Sequence, residues 1–131
     1  MRRVTGIGGI FFKANDPEKL YQWYEKHLGM ARDETTVVNF HWRDADDPGK
    51  KGQSLVAIFP ADTKYFAPSG SSFMMNYRVE NLDALVEALQ REGVEVDPHR
   101  EDHDYCRFAW IMDPEGNRIE LWEPPKEDTK E

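Results

Sequence analysis

The sequence predicts an α+β fold built from two successive βαβββ modules, and three observations carry that prediction. A β-like apolar run opens each half, at Thr5–Lys13 and at Ser72–Val79. Each run is followed by a segment of helical periodicity and then by β-like runs separated by turn residues. Finally, a shift of about 65 residues superimposes the two halves in pattern. It lays Lys13-Ala14-Asn15-Asp16 on Arg78-Val79-Glu80-Asn81, Gly29 beside Gly93, Asp47-Pro48 on Asp113-Pro114 and Pro60 on Pro125. The expected modules span about 4–61 and about 71–125 of a single domain, followed by a charged tail at 126–131.

The first strand carries Gly6-Ile7-Gly8-Gly9, which lacks the last glycine of a dinucleotide-binding fingerprint and lies within the strand rather than after it. Phosphate or dinucleotide binding there is not expected. The first helix takes Asp16 as N-cap and Pro17 as its first residue, repeats Leu20, Trp23, Tyr24, His27 and Leu28 on one side, and ends at Gly29. Strands are then expected at Thr35–Arg43 and Gln53–Pro60, joined through the Asp46-Asp47-Pro48-Gly49 turn. In the second half a helix over Leu82–Arg91 presents Leu82, Leu85, Val86 and Leu89 as one stripe, and Gly93 closes it. Three strands follow at Val94–Asp97, Tyr105–Met112 and Asn117–Glu123, the last two joined by Asp113-Pro114-Glu115-Gly116, which reads as a type I turn.

Composition excludes several classes. A net charge of −8, from 25 acidic and 17 basic residues, argues against a nucleic-acid partner, which needs a basic face. No apolar run approaches the roughly 20 residues of a membrane span, and Met1-Arg2-Arg3 leads into no signal-peptide core, so a soluble, cytoplasmic protein is expected. Cys106 is the single cysteine, which leaves no intrachain disulfide and no cysteine-based zinc site; a buried structural thiol is expected. His99, His103 and Cys106 are close in sequence, but they sit in a charged segment beside Pro98, and a solvated hairpin is the stronger reading than a metal site.

Two stretches resemble the vicinal oxygen chelate superfamily, the group that includes glyoxalases, bleomycin-resistance proteins and extradiol dioxygenases. They are Asn15-Asp16-Pro17 through Trp23-Tyr24 to His27-Leu28-Gly29-Met30, and Met112-Asp113-Pro114-Glu115-Gly116-Asn117-Arg118-Ile119-Glu120-Leu121-Trp122-Glu123-Pro124. The resemblance implies paired βαβββ modules curling round a shared cavity, assembled as a homodimer. In metal-dependent members it also implies a divalent cation on His or Glu side chains at four strand positions. Carried over to this chain, the fourth position falls on Glu120, the third at or beside Met74, the first on Gly9 and the second on Leu55 or, one pleat along, Ala57. One carboxylate without three further hard donors does not make such a site, so no metal and no other cofactor are expected.

The ligand-binding set expected from this resemblance is Glu120, His41, Trp42, Met74, Asn76, Tyr105, Arg107 and Trp110, with Glu120 and His41 as catalytic candidates. His41 carries an imidazole, a side chain that suits acid–base or hydrogen-bonding work, but strand alternation sends it to one face and Phe40 and Trp42 to the other. Glu120 either pairs with Arg118 two residues away and is structural, or stands unpaired and meets a ligand. The favoured reading is a metal-free protein that binds a small organic molecule, cationic or aromatic, in an aromatic, acidic cavity. The alternatives are an enzyme of the same fold (lyase, isomerase or dioxygenase) using Glu120 with His41 or a tyrosine, and a structural dimer with a vestigial cavity.

Overall fold

A computed structural model of the chain describes residues 2–125, so the charged tail expected at 126–131 lies outside the described residues. Seven strands and two helices follow one another: β1 (Val4–Ala14), α1 (Pro17–Leu28), β2 (Val38–Arg43), β3 (Lys51–Pro60), β4 (Phe73–Val79), α2 (Leu82–Arg91), β5 (Val96–Asp102), β6 (Arg107–Met112) and β7 (Arg118–Glu123). The helices begin and end where their caps require. The Asp16 carboxylate accepts the Lys19 N–H, and Gly29 closes α1 in the left-handed region at φ 69°. Asn81 caps α2, and the Leu82 N–H also donates to the Glu123 carboxylate at 2.7 Å, which ties that helix to β7.

All seven strands form one sheet in the order β2-β3-β1-β4-β7-β6-β5. The halves meet where β1 and β4 pair antiparallel, while β1 with β3 and β4 with β7 are parallel. Both helices lie on one face. Tyr21, Val38 and Ile58 form the core under α1, and Val79, Leu82, Leu85, Ala109 and Leu121 form the core under α2. The opposite face carries a third cluster of Phe11, Ala57, Phe66, Met74 and Trp110, and this face holds the candidate site. Among the described residues no helix is long and apolar enough to cross a membrane.

Two boundaries differ from the sequence reading. β2 starts at Val38 rather than Thr35 because Asp33 accepts the Thr35 N–H and hydroxyl and Asp33 N–H closes on the Val37 carbonyl, turning the chain at Thr36 with φ 71°. The first half supplies three strands and the second four. β5 runs on past Pro98 to Asp102: it is an edge strand, and an irregularity between Val96 and Arg100 lets the proline sit where no ladder hydrogen bond is needed. His99 is consequently on a strand and not in a hairpin loop, while the turn comes at 103–106 and delays β6 to Arg107.

Candidate functional site

Strand register decides what surrounds Glu120. Leu55 lies opposite Gly9, Gly9 opposite Asn76, Asn76 opposite Glu120 and Glu120 opposite Trp110, so these five residues form one row across the concave face. Met74 lies one pleat along, opposite Phe11, and is wholly buried in the core. It is Asn76, not Met74, that meets Glu120.

Glu120 is 2% exposed, and its carboxyl group accepts three hydrogen bonds from neutral donors. The Asn76 amide donates at 2.5 Å, the Trp110 indole N–H at 3.0 Å, and the Tyr65 hydroxyl in a short contact. Neither arrangement expected from sequence forms. Arg118 turns to Asp97 at 3.0 Å, lying over the Trp110 ring, and Glu120 is satisfied without an ion pair. Burial pushes the Glu120 carboxyl above the ordinary carboxylate range, and the three donors and the more distant Arg118 charge hold it back in part. Burial and then the Glu120 charge push the Tyr65 phenol well above its usual value, so Tyr65 keeps its proton and remains the donor.

A carboxyl whose pKa is raised by folding stabilises most fully below its unfolded value and loses that contribution as pH rises through the folded value. The stability of the protein minus that of Glu120→Gln is therefore expected to fall as pH is raised above the ordinary carboxylate range. Urea titrations at several pH values measure this; a flat or rising difference would mean the carboxyl ionises in place without penalty.

The divalent cation implied by the family resemblance finds an unsuitable set of partners here. The row offers Leu55 and Gly9 without donor atoms, and the polar groups at Glu120 are N–H and O–H donors aimed at the carboxyl, the wrong polarity for a cation. Among the described residues no three His, Cys, Asp or Glu side chains group as a metal would need.

Beside the row opens a groove of about 1140 Å³ between the β2–β3 hairpin and the ends of β4 and β7. Trp42 and Trp122 hold the Arg78 guanidinium between them at 5.3 and 5.1 Å from their ring centres. Trp42 fits because Gly6 and Gly52 are bare: a Cβ there would come within 2.9 and 2.3 Å of its ring. Its indole donates to Ser54 at 2.8 Å. His41 lines the same groove, exposed and opposite Gln53, four strands from Glu120. The lining is of mixed charge, with Asp44, Asp47, Glu80 and Glu123 against Lys50, Lys51 and Arg78, where the sequence reading expected an acidic one.

The expected ligand-binding residues thus separate. Glu120, Asn76 and Trp110 come together, with Met74 one pleat along in the core, and His41 and Trp42 share the groove. Tyr105 is 64% exposed and stacks on His103. Arg107 alternates away from Phe108 and Trp110, to the helix side, where it pairs with Asp83 of α2 and with Asp102. His99 stacks on Trp110, and Cys106 is half-buried rather than buried. Tyr65 is the partner the sequence reading missed: it comes from the 61–72 connection between the halves, where only its aromatic character marked it.

The family model described as Glyoxalase/Bleomycin resistance protein/Dioxygenase superfamily matches residues 6–121. No curated protein sequence matches the chain. Among solved structures, methylmalonyl-CoA epimerase from Mycobacterium tuberculosis is 23% identical with a TM-score of 0.58, over 95% of this chain and 91% of that one. A variant of the Streptomyces coelicolor methylmalonyl-CoA epimerase in complex with 2-nitronate-propionyl-CoA is 18% identical with a TM-score of 0.69, over 96% and 99%. A chain described as an NAD-dependent benzaldehyde dehydrogenase from Legionella pneumophila is 11% identical with a TM-score of 0.56, over 88% and 97%. At these identities the likeness is one of fold.

Proposed function

The chain belongs to the glyoxalase/bleomycin resistance protein/dioxygenase superfamily, and on that premise we propose that it binds a small organic molecule on its concave face without a metal ion. The domain is read as two modules, about 4–61 and about 71–125, whose shared face is the binding surface. The observation that carries the proposal is the Glu120 carboxyl, buried at the centre of that face and held by three neutral hydrogen-bond donors. Such a group recognises a hydrogen-bonding ligand and gives a cation no shell of oxygen or imidazole partners. The adjoining groove, with its Trp42–Arg78–Trp122 stack, adds flat apolar surface for rings. The reading includes a homodimer, supported by Ile7, Ile10 and Phe73 exposed on the helix side of β1 and β4, and light scattering checks the mass.

A second reading rests on the same carboxyl. A buried glutamate with a raised pKa next to a tyrosine is suited to moving a proton at a carbon beside a carbonyl, and the neighbours of known structure include epimerases. One set of measurements separates the two. Under the binding reading, a thermal-shift screen yields organic ligands whose stabilisation is lost in Glu120→Gln or Trp42→Ala. Equilibrium dialysis against Zn²⁺, Co²⁺ and Mg²⁺ retains no stoichiometric metal, and methylmalonyl-CoA in D₂O keeps its C2 proton with or without added cation. Exchange of that proton, with or without added cation, lost in Glu120→Gln, would replace the binding reading with the enzymatic one.

A further inference from the structure

The centre of the concave face is filled by the protein itself. From the 61–72 connection, Phe66 packs into the core with no exposed surface and anchors the segment. The adjacent Tyr65 lays its ring parallel to Phe59 at 5.6 Å and 6°, and edge-on to Trp110 at 6.4 Å and 89°. Its hydroxyl donates to Glu120, yet the residue is 38% exposed, so it covers the carboxyl from the solvent side. A loop side chain, held by its hydrogen bond to Glu120 and by ring contacts, occupies a slot whose walls and buried acceptor belong to the sheet.

We infer that Tyr65 stands in for the ligand, and that the site takes a small aryl molecule bearing a hydrogen-bond donor, a phenol or an aromatic amine. Its ring replaces that of Tyr65 between Phe59 and Trp110, and its donor replaces the Tyr65 hydroxyl on Glu120. The inference deepens the binding reading above and rests on it. The donor is required because Asn76 and Trp110 satisfy only part of the carboxyl, and a ring without a donor would leave a buried acceptor unpaired. Aryl carboxylates and phosphates are excluded because they bring acceptor oxygens to a position where the Glu120 oxygens take donors. Since the ligand must displace Tyr65, its apparent affinity is lowered by the fraction of molecules in which Tyr65 is seated, and loosening Tyr65 should strengthen binding.

Isothermal titration with 4-methylphenol, and with toluene as its donor-free counterpart, tests this. 4-Methylphenol is expected to bind the unmodified protein, and toluene roughly tenfold or more weakly. Tyr65→Phe, which keeps the ring but removes its hold on Glu120, should tighten 4-methylphenol roughly tenfold, and Tyr65→Ala further; Glu120→Gln should weaken it by a similar factor. Opposite signs for Tyr65 and Glu120 substitutions are the signature, and circular dichroism verifies that each variant is folded. Equal binding of 4-methylphenol and toluene, or no gain in Tyr65→Phe, overturns the inference. If 4-methylphenol binds none of these proteins while other screened compounds stabilise them through Trp42, the inference falls and the binding reading stands. If only a divalent cation produces a response, both fall.

Discussion

Replacing Trp110 by alanine is expected to destabilise the protein by about 4 kcal/mol, lowering its melting temperature by roughly 10–20 °C. The residue is 2% exposed and lies where several independent contacts meet. Its indole N–H holds Glu120, Arg118 lies over its ring at 5.3 Å, and Tyr65, Phe108 and His99 pack against it. Alanine leaves a cavity in the cluster of Phe11, Ala57, Phe66 and Met74 and removes one of the three donors from a buried carboxyl, so the loss combines a packing and a polar component. Chemical denaturation measures it. A loss under about 1 kcal/mol would mean that Tyr65 and His99 close over the gap and that the row is less tightly determined than its contacts indicate.

The second large effect is expected at Gly8, where alanine should cost about 2–3 kcal/mol and disturb the site as well. A Cβ at Gly8 would lie 2.1 Å from the Asn76 side-chain oxygen, 3.0 Å from the Trp122 ring and 3.2 Å from the Arg78 side chain. Asn76 is 4% exposed and its amide nitrogen is committed to Glu120, so it cannot retreat without breaking that bond. Gly70→Ala is the matched control: nothing stands within 4 Å of its Cβ position, and little change is expected. Equal stability of the two variants in denaturant would show that Asn76 moves freely and that the row tolerates its displacement.

The helices were legible because their signals are local. Asp16, Pro17 and Gly29 delimit α1, and the apolar stripe from Leu82 to Leu89 with Gly93 delimits α2. The strand ends were less so. An Asp33-centred turn shortened β2 at its start, and pairing to β6 carried β5 through a proline and a run of charges that read as a loop. At the site, Glu120 could be singled out by its motif. Tyr65 could not, because it reaches Glu120 across 55 residues from a connection without a repeating pattern. Arg107 and Tyr105 were misplaced for a related reason: alternation sends Arg107 to the helix side once Phe108 and Trp110 face the cleft, and the 103–106 turn leaves Tyr105 outside the sheet.

Sequence by itself determined the α+β class, both helices with the caps of the first, the repeated pattern of the two halves, and Glu120 as the acidic candidate on the last strand. It also marked Gly6-Ile7-Gly8-Gly9 as something other than a phosphate loop. Only the tertiary structure decided what those glycines are for, admitting Trp42 at Gly6 and the Asn76 and Trp122 side chains at Gly8. Only it decided that Glu120 is held by Tyr65, Asn76 and Trp110 and not by Arg118. The division has a physical origin. Caps, turns and periodicity act over a few residues and are written into neighbouring side chains. The partners of a buried carboxyl are set by strand register, including the shift between Ile7 and Gly9, and by a connection that folds back over the sheet; both are settled by packing between residues distant in sequence.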